Sequence, residues 1–457
     1  VTAPKKLILN LFEMNCVSHI THGLWRLPGN NRHRFNEIGY WTELAQLAEA
    51  GGFDAIFLAD VIGAYDVFGD SAAAALEEGL QIPNNDPMLV VPAMAAVTKN
   101  LGFGVTFSTS YEPPFAFARR MSTLDHLTDG RVGWNVVTSY LPNAARNFGL
   151  DDQIPHDTRF EIAEEYLEVL YKLWEGSWED DAVVIDRENN LYTDPSKVHR
   201  IDHVGTHFSV AGPHLSQPSR QRTPVLFFAT ASSAGIARAA KHAEVVFTGG
   251  TQVRRVAAEA RAAAVENGRR PDDIAFLVQA GVITARTQAE VDVKLALYRD
   301  HASKRGRLVH ASIPFDALAH PLDRTLGEAL AIDGKSQHPA AATLPRDKTI
   351  AEFLALIDES WSGPFFSAGT PEKVADDIER WLDEEGIDGI NLRQYHSFDT
   401  LKDFVELIVP VLRRRGRLRE SYVDGQSLRD RLFGEGDRLP DRHVARSYRP
   451  VVVGSSD

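Results

Sequence analysis

An α/β fold closing as a (β/α)8 barrel with expanded loops is what this sequence predicts, and three observations carry the prediction. Eight short apolar runs rich in β-branched and aromatic residues recur, at residues 7–12, 53–58, 102–107, 132–137, 224–229, 245–248, 274–283 and 389–392. Helical periods lie between them, so the chain reads strand, helix, strand, helix. Several helix starts are marked by an oxygen-bearing residue before a proline, Asp86-Pro87 and Thr370-Pro371, which suits a cap followed by the first helical turn. Short buried strands alternating with amphipathic helices indicate a parallel sheet covered by helices, and eight of them indicate closure. An open doubly wound sheet is the alternative.

The elements follow in order. Trp41, Leu44 and Leu47 repeat at helical spacing and end at the stop signal Gly51-Gly52. Phe160, Ala163, Leu167, Leu170 and Trp174 form a second such stripe. Three stretches break the rhythm: residues 62–85, a loose mixture of alanine and acids; residues 175–222, polar and proline-punctuated; and residues 305–365, with loop signals at His320-Pro321 and His338-Pro339. They read as insertions over the mouth of one barrel domain spanning residues 1–457, since catalytic barrels build their sites from loops at the carboxyl ends of strands. Residues 416–457 form an arginine-rich tail with little helical regularity, expected to wrap the body or a second subunit. Arg413, Arg414, Arg415, Arg417 and Arg419 read as a solvated or salt-bridged helix end.

Composition narrows the function. A formal net charge of -14 disfavours a nucleic-acid partner. No apolar run approaches the roughly 20 residues of a membrane span. The opening VTAPKKLILNLFEMN has no apolar core leading to a small-residue cleavage site, so a cytoplasmic protein is expected. Cys16 is the only cysteine, which excludes an intrachain disulfide and a multi-cysteine metal site.

Candidate chemistry sits at strand ends. Asp60 closes the second run, and Ser139 and Tyr140 close the fourth; such groups can pair with the polar edge of a flat heterocycle whose face rests on apolar residues. A helix cap or loop turn explains Asp60 equally well. The small-residue turn Ala229, Thr230, Ala231, Ser232 precedes a helix, where amides and a hydroxyl can hold an anion, although plain capping by Ser232 accounts for the same pattern. His199, His203, His207 and His214 cluster, and His19 and His22 are three apart, yet no HExxH or carboxylate-rich zinc pattern accompanies them, so no metal is expected. Cys16 reads first as a small core residue and second as a nucleophile. No GxxxxGK[ST], GxSxG or post-strand GxGxxG occurs, which removes the usual phosphotransferase, hydrolase and dinucleotide readings.

The segments EMNCVSHITHGLWR, YWTELAQLAEAGGFDAIFLADVIGAYDV, RRMSTLDHLTDGRVGWNVVTSYLP, YKLWEGSWEDDAV and RDRLFGEGDRLPDRHVARSYR resemble the bacterial-luciferase-like FMN-dependent monooxygenases. The resemblance covers nearly the whole chain, and within the family it is strongest to the branch that oxidises long-chain alkanes, with branches acting on dimethylsulfide, dibenzothiophene sulfone and aminopolycarboxylates beside it. It implies a TIM barrel, dimeric or tetrameric, taking reduced FMN from a separate NAD(P)H:flavin reductase. Oxygen then adds at flavin C4a, and the peroxyflavin oxygenates a small organic substrate. By the same resemblance Asp60, Ser139, Tyr140, Phe160 and the turn Ala229, Thr230, Ala231, Ser232 contact FMN, Ser232 and the turn amides holding its phosphate. Cys16, His19, Tyr65, Gln81, Tyr140 and His310 line the reaction pocket. Departures stand out: Tyr140 replaces a histidine, Phe160 a phosphate-binding tyrosine, Phe228-Ala229-Thr230 a glutamine-alanine-glycine, and residues 311–316 a tyrosine-glycine-glycine-threonine loop. The changes at Phe160 and Thr230 predict a weaker hold on phosphate. Two other outcomes compete with alkane hydroxylation: oxygenation that cleaves carbon–sulfur or carbon–nitrogen bonds, and a non-catalytic barrel serving as a binding or assembly subunit.

Overall fold

A computed structural model describes residues 4–230, 232–359 and 362–450. Eight parallel strands run β1 (Ile8–Met14), β2 (Ala55–Ala59), β3 (Gly102–Ser108), β4 (Val132–Val137), β5 (Val225–Ala229), β6 (Val245–Phe247), β7 (Ala275–Thr284) and β8 (Gly389–Arg393). Each pairs with the next in sequence, and Ile8 pairs with Gly389, which closes the barrel. The eight runs read from the sequence are these strands, with ends shifted by up to two residues, and the closed barrel replaces the open-sheet alternative.

The strands are continuous apolar runs because both of their faces are covered. One face meets the surrounding helices: α1 (Ile38–Ala50), α2 (Val91–Ala96), α3 (Pro114–Thr128), α4 (His156–Tyr171), α5 (Ser233–His242), α6 (Val253–Glu266), α7 (Pro371–Asp383) and α8 (Val409–Arg414). The other fills the lumen, where Phe57, Phe227 and Phe247 interlock, Phe57 and Phe247 with ring centroids 4.3 Å apart. Helix α1 ends where the sequence marks it, Gly52 taking a left-handed φ of 80°. Asp86 caps the 3-10 turn Pro87–Val90, accepting from Met88 N at 2.8 Å. Thr370 departs from expectation: α7 starts after it, but its hydroxyl makes no cap bond.

The insertions are more ordered than their composition suggests. Residues 62–85 contain the helix Ala73–Glu78, and its Ala74 and Ala75, with Tyr65, Phe68 and Leu80, pack against Leu308, Val309, Ile313, Leu326 and Leu330 in a second core distinct from the barrel's. Helices Lys304–His310, Leu326–Ile332 and Ile350–Glu359 supply the other side of this cap. Residues 175–222 hold two small antiparallel hairpins, Val183–Asp186 with Leu191–Thr193 and His203–Val204 with Ser209–Val210. A further strand, Phe366–Gly369, pairs with the far half of the ten-residue β7, Thr284 facing Gly369.

The tail wraps the body, and it is not irregular throughout: helix Leu428–Phe433 closes the amino end of the barrel. Leu428 is fully buried, and a Cβ at Gly102 would stand 2.7 Å from its Cδ1, so the residue opening β3 has to be small. Arg429 Nε donates to Glu244 Oε1 at 2.6 Å, with both side chains buried, and Arg419 pairs with the buried Asp54. Arg415 and Arg417 engage Asp376, Glu379 and Asp383, the salt-bridged helix end read from the sequence.

Candidate active site

A cavity of about 380 Å³ opens at the carboxyl ends of β2 to β5. Its walls come from successive strands. Asp60 follows β2; Thr106, Phe107 and Ser108 end β3; Val136 to Leu141 end β4 and its loop; Phe228 to Thr230 end β5; and Phe160, Ser232, Gly235 and Arg238 face in from α4 and α5. Phe107, Val136, Val137 and Phe228 make apolar walls, while polar groups gather at opposite ends.

At one end Asp60 accepts from Asn84 Nδ2 at 2.8 Å. Burial is the main cause that raises its carboxyl to about 6, the Asn84 bond opposing it and the nearby Asp86 adding to it. No helix starts at Asp60, which lies in the loop leaving β2 and also accepts from the Val61 backbone. Past the end of β4 Ser139 donates from Oγ to Ser108 Oγ at 2.8 Å, and the Ser139 carbonyl accepts from Gln153 Nε2 at 3.0 Å and from Arg159, which fixes the loop leaving β4.

At the other end Ser232 caps α5, accepting from Gly235 N at 3.2 Å, as plain capping predicts. Thr230 folds over the same turn: a Cβ at Gly235 would lie 2.9 Å from Thr230 Cβ, so only glycine leaves that position open. Ala231 lies outside the described residues. Phe160 offers no hydroxyl, but its ring lies 4.6 Å from the Arg238 guanidinium. Arg238 is a residue that the sequence reading misses. The available signal was the spacing Ser232, Gly235, Arg238, which puts all three on one helix face.

The residues expected in the reaction pocket form a chain leading away from the cavity. Tyr140, itself exposed at its edge, is hydrogen-bonded through its hydroxyl to that of the buried Tyr65. Gln81 Nε2 lies 3.3 Å from His310 Nε2, and His310 Nδ1 lies 2.9 Å from His22 Nε2. Tyr65 meets the His310 ring edge-on at 5.1 Å, and His19 stands 5.8 Å from it, stacked on Phe12 at 5.3 Å. Burial lowers His310 to about 4 and His19 to about 3, the latter helped by His310, so both rings are neutral at neutral pH. Burial raises the Tyr65 phenol and the Cys16 thiol. Cys16 donates to the Ser18 carbonyl at 3.4 Å and is fully buried, which matches a core residue rather than a nucleophile. The clustered histidines of the hairpin region disperse: His199 pairs with Glu179, His203 with Glu165, and His214 with Ser122. Among the described residues no group of three or more His, Cys, Asp or Glu is placed to hold a metal ion. No helix among them is long and apolar enough to cross a membrane.

A second cavity, of about 420 Å³, shares Asp60, Val61, Ile62, Thr106 and Phe107 with the first and is otherwise rich in amides, including Gln81, Asn84, Asn85, Asn143 and Asn147.

Fold and cavity define a (β/α)8 barrel with its chemistry-bearing groups at the carboxyl mouth, the usual place for an enzyme of this architecture. Residues 15–389 match the model of the luciferase-like monooxygenase family. Long-chain alkane monooxygenase of Geobacillus thermodenitrificans is 49% identical over 453 residues, covering 98% of this chain and 99% of the relative. A crystal structure of long-chain alkane monooxygenase superposes with a TM-score of 0.89, covering 97% of this chain and 100% of that one at 49% identity. Dimethyl-sulfide monooxygenase of Hyphomicrobium sulfonivorans is 43% identical over 467 residues, covering 98% of this chain and 95% of the relative. A riboflavin lyase crystallised with modified FMN and riboflavin superposes at TM-score 0.87 and 34% identity, covering 98% of this chain and 100% of that one. The chain belongs to the luciferase-like monooxygenases, and it is an enzyme of that class.

Proposed function

We propose that this chain is the oxygenase component of a two-component system, taking reduced FMN from a separate NAD(P)H:flavin reductase and using O2 to oxygenate an organic substrate. The observation that carries the reading is the first cavity, with apolar walls between a hydrogen-bonding end and a cationic end. That donor set fits FMN. Asp60 and Ser139 suit the polar edge of a flat heterocycle, Phe107, Val136 and Phe228 its faces, and Thr230, Ser232 and the first turn of α5 a phosphate. When bound and reduced, the flavin supplies the electrons that activate O2 for transfer of one oxygen atom to the substrate.

The protein's own share is positioning, proton management and exclusion of water. Asp60, raised to about 6, can hold or release a proton at the cavity edge near neutral pH. The run Tyr140, Tyr65, Gln81, His310, His22 is made of neutral groups that can offer hydrogen bonds without placing a charge in the site. The cap core, with Phe68, Leu308 and Leu330, buries Tyr65, while Tyr140 keeps an exposed edge.

A long-chain alkane is the first substrate to test, on the strength of the 49% identity to long-chain alkane monooxygenase. The amide-rich second cavity favours a different reading, a polar substrate oxygenated at a carbon–sulfur or carbon–nitrogen bond, because an alkane there would leave Asn85, Asn143 and Asn147 facing hydrocarbon. Incubation with reduced FMN, O2 and a panel of alkanes, thioethers, sulfones and aminopolycarboxylates decides between them by which product forms. Titration with oxidised and reduced FMN tests the common premise: binding of neither form would leave a non-catalytic barrel.

A further inference from the structure

The cavity is lined by a cation, Arg238, that forms no ion pair among the described residues. Arg238 projects from α5 on the face shared with Ser232 and Gly235, and all three line the cavity. Its guanidinium stands 4.6 Å from the Phe160 ring centroid and 5.9 Å from that of Phe228. Among the described residues it makes no hydrogen bond or ion pair, and its Nε is buried without a partner. Glu164, the carboxylate whose field reaches it, is already engaged by Lys241 and by His242 Nε2 at 3.0 Å. A partly desolvated guanidinium held between aromatic rings is costly unless an anion completes it. Its planar fork of donors matches a phosphate better than a point charge would.

We propose that Arg238 binds the flavin 5′-phosphate, with Phe160 as the flat support that sets the guanidinium plane, so that this chain selects FMN over riboflavin through Arg238. The assignment rests on the flavin reading above. It gives Phe160 a role that needs no hydroxyl, and it supplies a charge-assisted contact at the turn where Thr230 introduces a side chain.

Equilibrium titration of FMN and of riboflavin, oxidised and reduced, against wild type, Arg238→Gln and Arg238→Lys tests it. Expected are a wild-type preference for FMN of about tenfold or more and a loss in Arg238→Gln of about 10- to 100-fold for FMN, the size of a charge-assisted hydrogen bond. Riboflavin binding should change little, and lysine should restore part of the loss. Inorganic phosphate should compete with FMN and not with riboflavin on the wild-type protein, a readout that survives if the glutamine variant does not fold. Equal weakening of both flavins, unchanged FMN affinity, or phosphate displacing riboflavin as well would overturn the assignment. Wild type binding both flavins equally removes Arg238's role alone, whereas wild type binding neither removes the flavin reading with it.

Discussion

The two ends of the barrel put their charges to different uses. At the amino end charges are matched: Arg429 with Glu244, Arg419 with Asp54, and Arg442 with Asp273, the last with Nη2 and Oδ1 2.6 Å apart, while Leu428 packs against the strand ends. At the carboxyl end matched pairs such as Arg32 with Glu13 stand beside groups left open toward the cavity. Among the described residues Arg238 makes no ion pair, Asp60 is raised to about 6, and His19 and His310 are held neutral. The ion pairs below hold the scaffold together, while Arg238 and Asp60 above keep bonding capacity for a ligand.

Changes at the two ends should separate accordingly. Arg429→Ala leaves Glu244 buried and uncompensated, so it should cost about 3–5 kcal/mol in chemical denaturation while the folded fraction binds flavin normally. Leu428→Ala opens a cavity under β3 and should cost about 2–5 kcal/mol, again without altering flavin affinity; a change in affinity would show that the ends are coupled. Asp60→Asn tests the upper end through pH. The carboxyl is raised above its unfolded value, so it favours the folded state fully below about 4, and that contribution is lost as pH rises through about 6. The asparagine variant should therefore gain about 1–2 kcal/mol relative to wild type between pH 4.5 and 8 without ligand. A constant difference across that range would mean that Asp60 titrates normally. Smallest in stability is Tyr65→Phe, expected to cost about 1 kcal/mol or less, yet it cuts the hydrogen-bonded run at Tyr140. Its readout is coupling: more hydrogen peroxide and less product for each O2 consumed, with unchanged coupling showing that the run is structural.

Legibility in the sequence follows the same division. Strands such as β3 and β4 stand out because burial on both faces leaves unbroken apolar runs between helical periods. Phe366–Gly369 is hidden, being short and half serine and glycine by its end. Residues 62–85 look loose because Ala74, Ala75 and Leu80 have nothing local to pack against; their partners, Leu308 to Leu330, arrive from far along the chain. Thr370 carries the letters of a cap without its bond. In the site, Asp60 and Ser139 are legible as polar groups at strand ends, whereas the roles suggested for Gln81 and His310 come from family resemblance, since nothing in their spacing brings them together. Arg238 escapes notice because an arginine inside an amphipathic helix ordinarily points to water, and only the placement of Phe160 and Phe228 turns it inward.

Strand β7 has a consequence of its own. Thr284 and Gly369 sit on one rung, the threonine hydroxyl donating to the Gly369 carbonyl at 2.9 Å, so the chain that leaves after Thr284 returns alongside the last four residues of β7. A segment whose two ends already touch can lengthen, shorten or be exchanged at small entropic cost to the ring beneath it. The roof can thus be renovated for new guests while the masonry stays untouched.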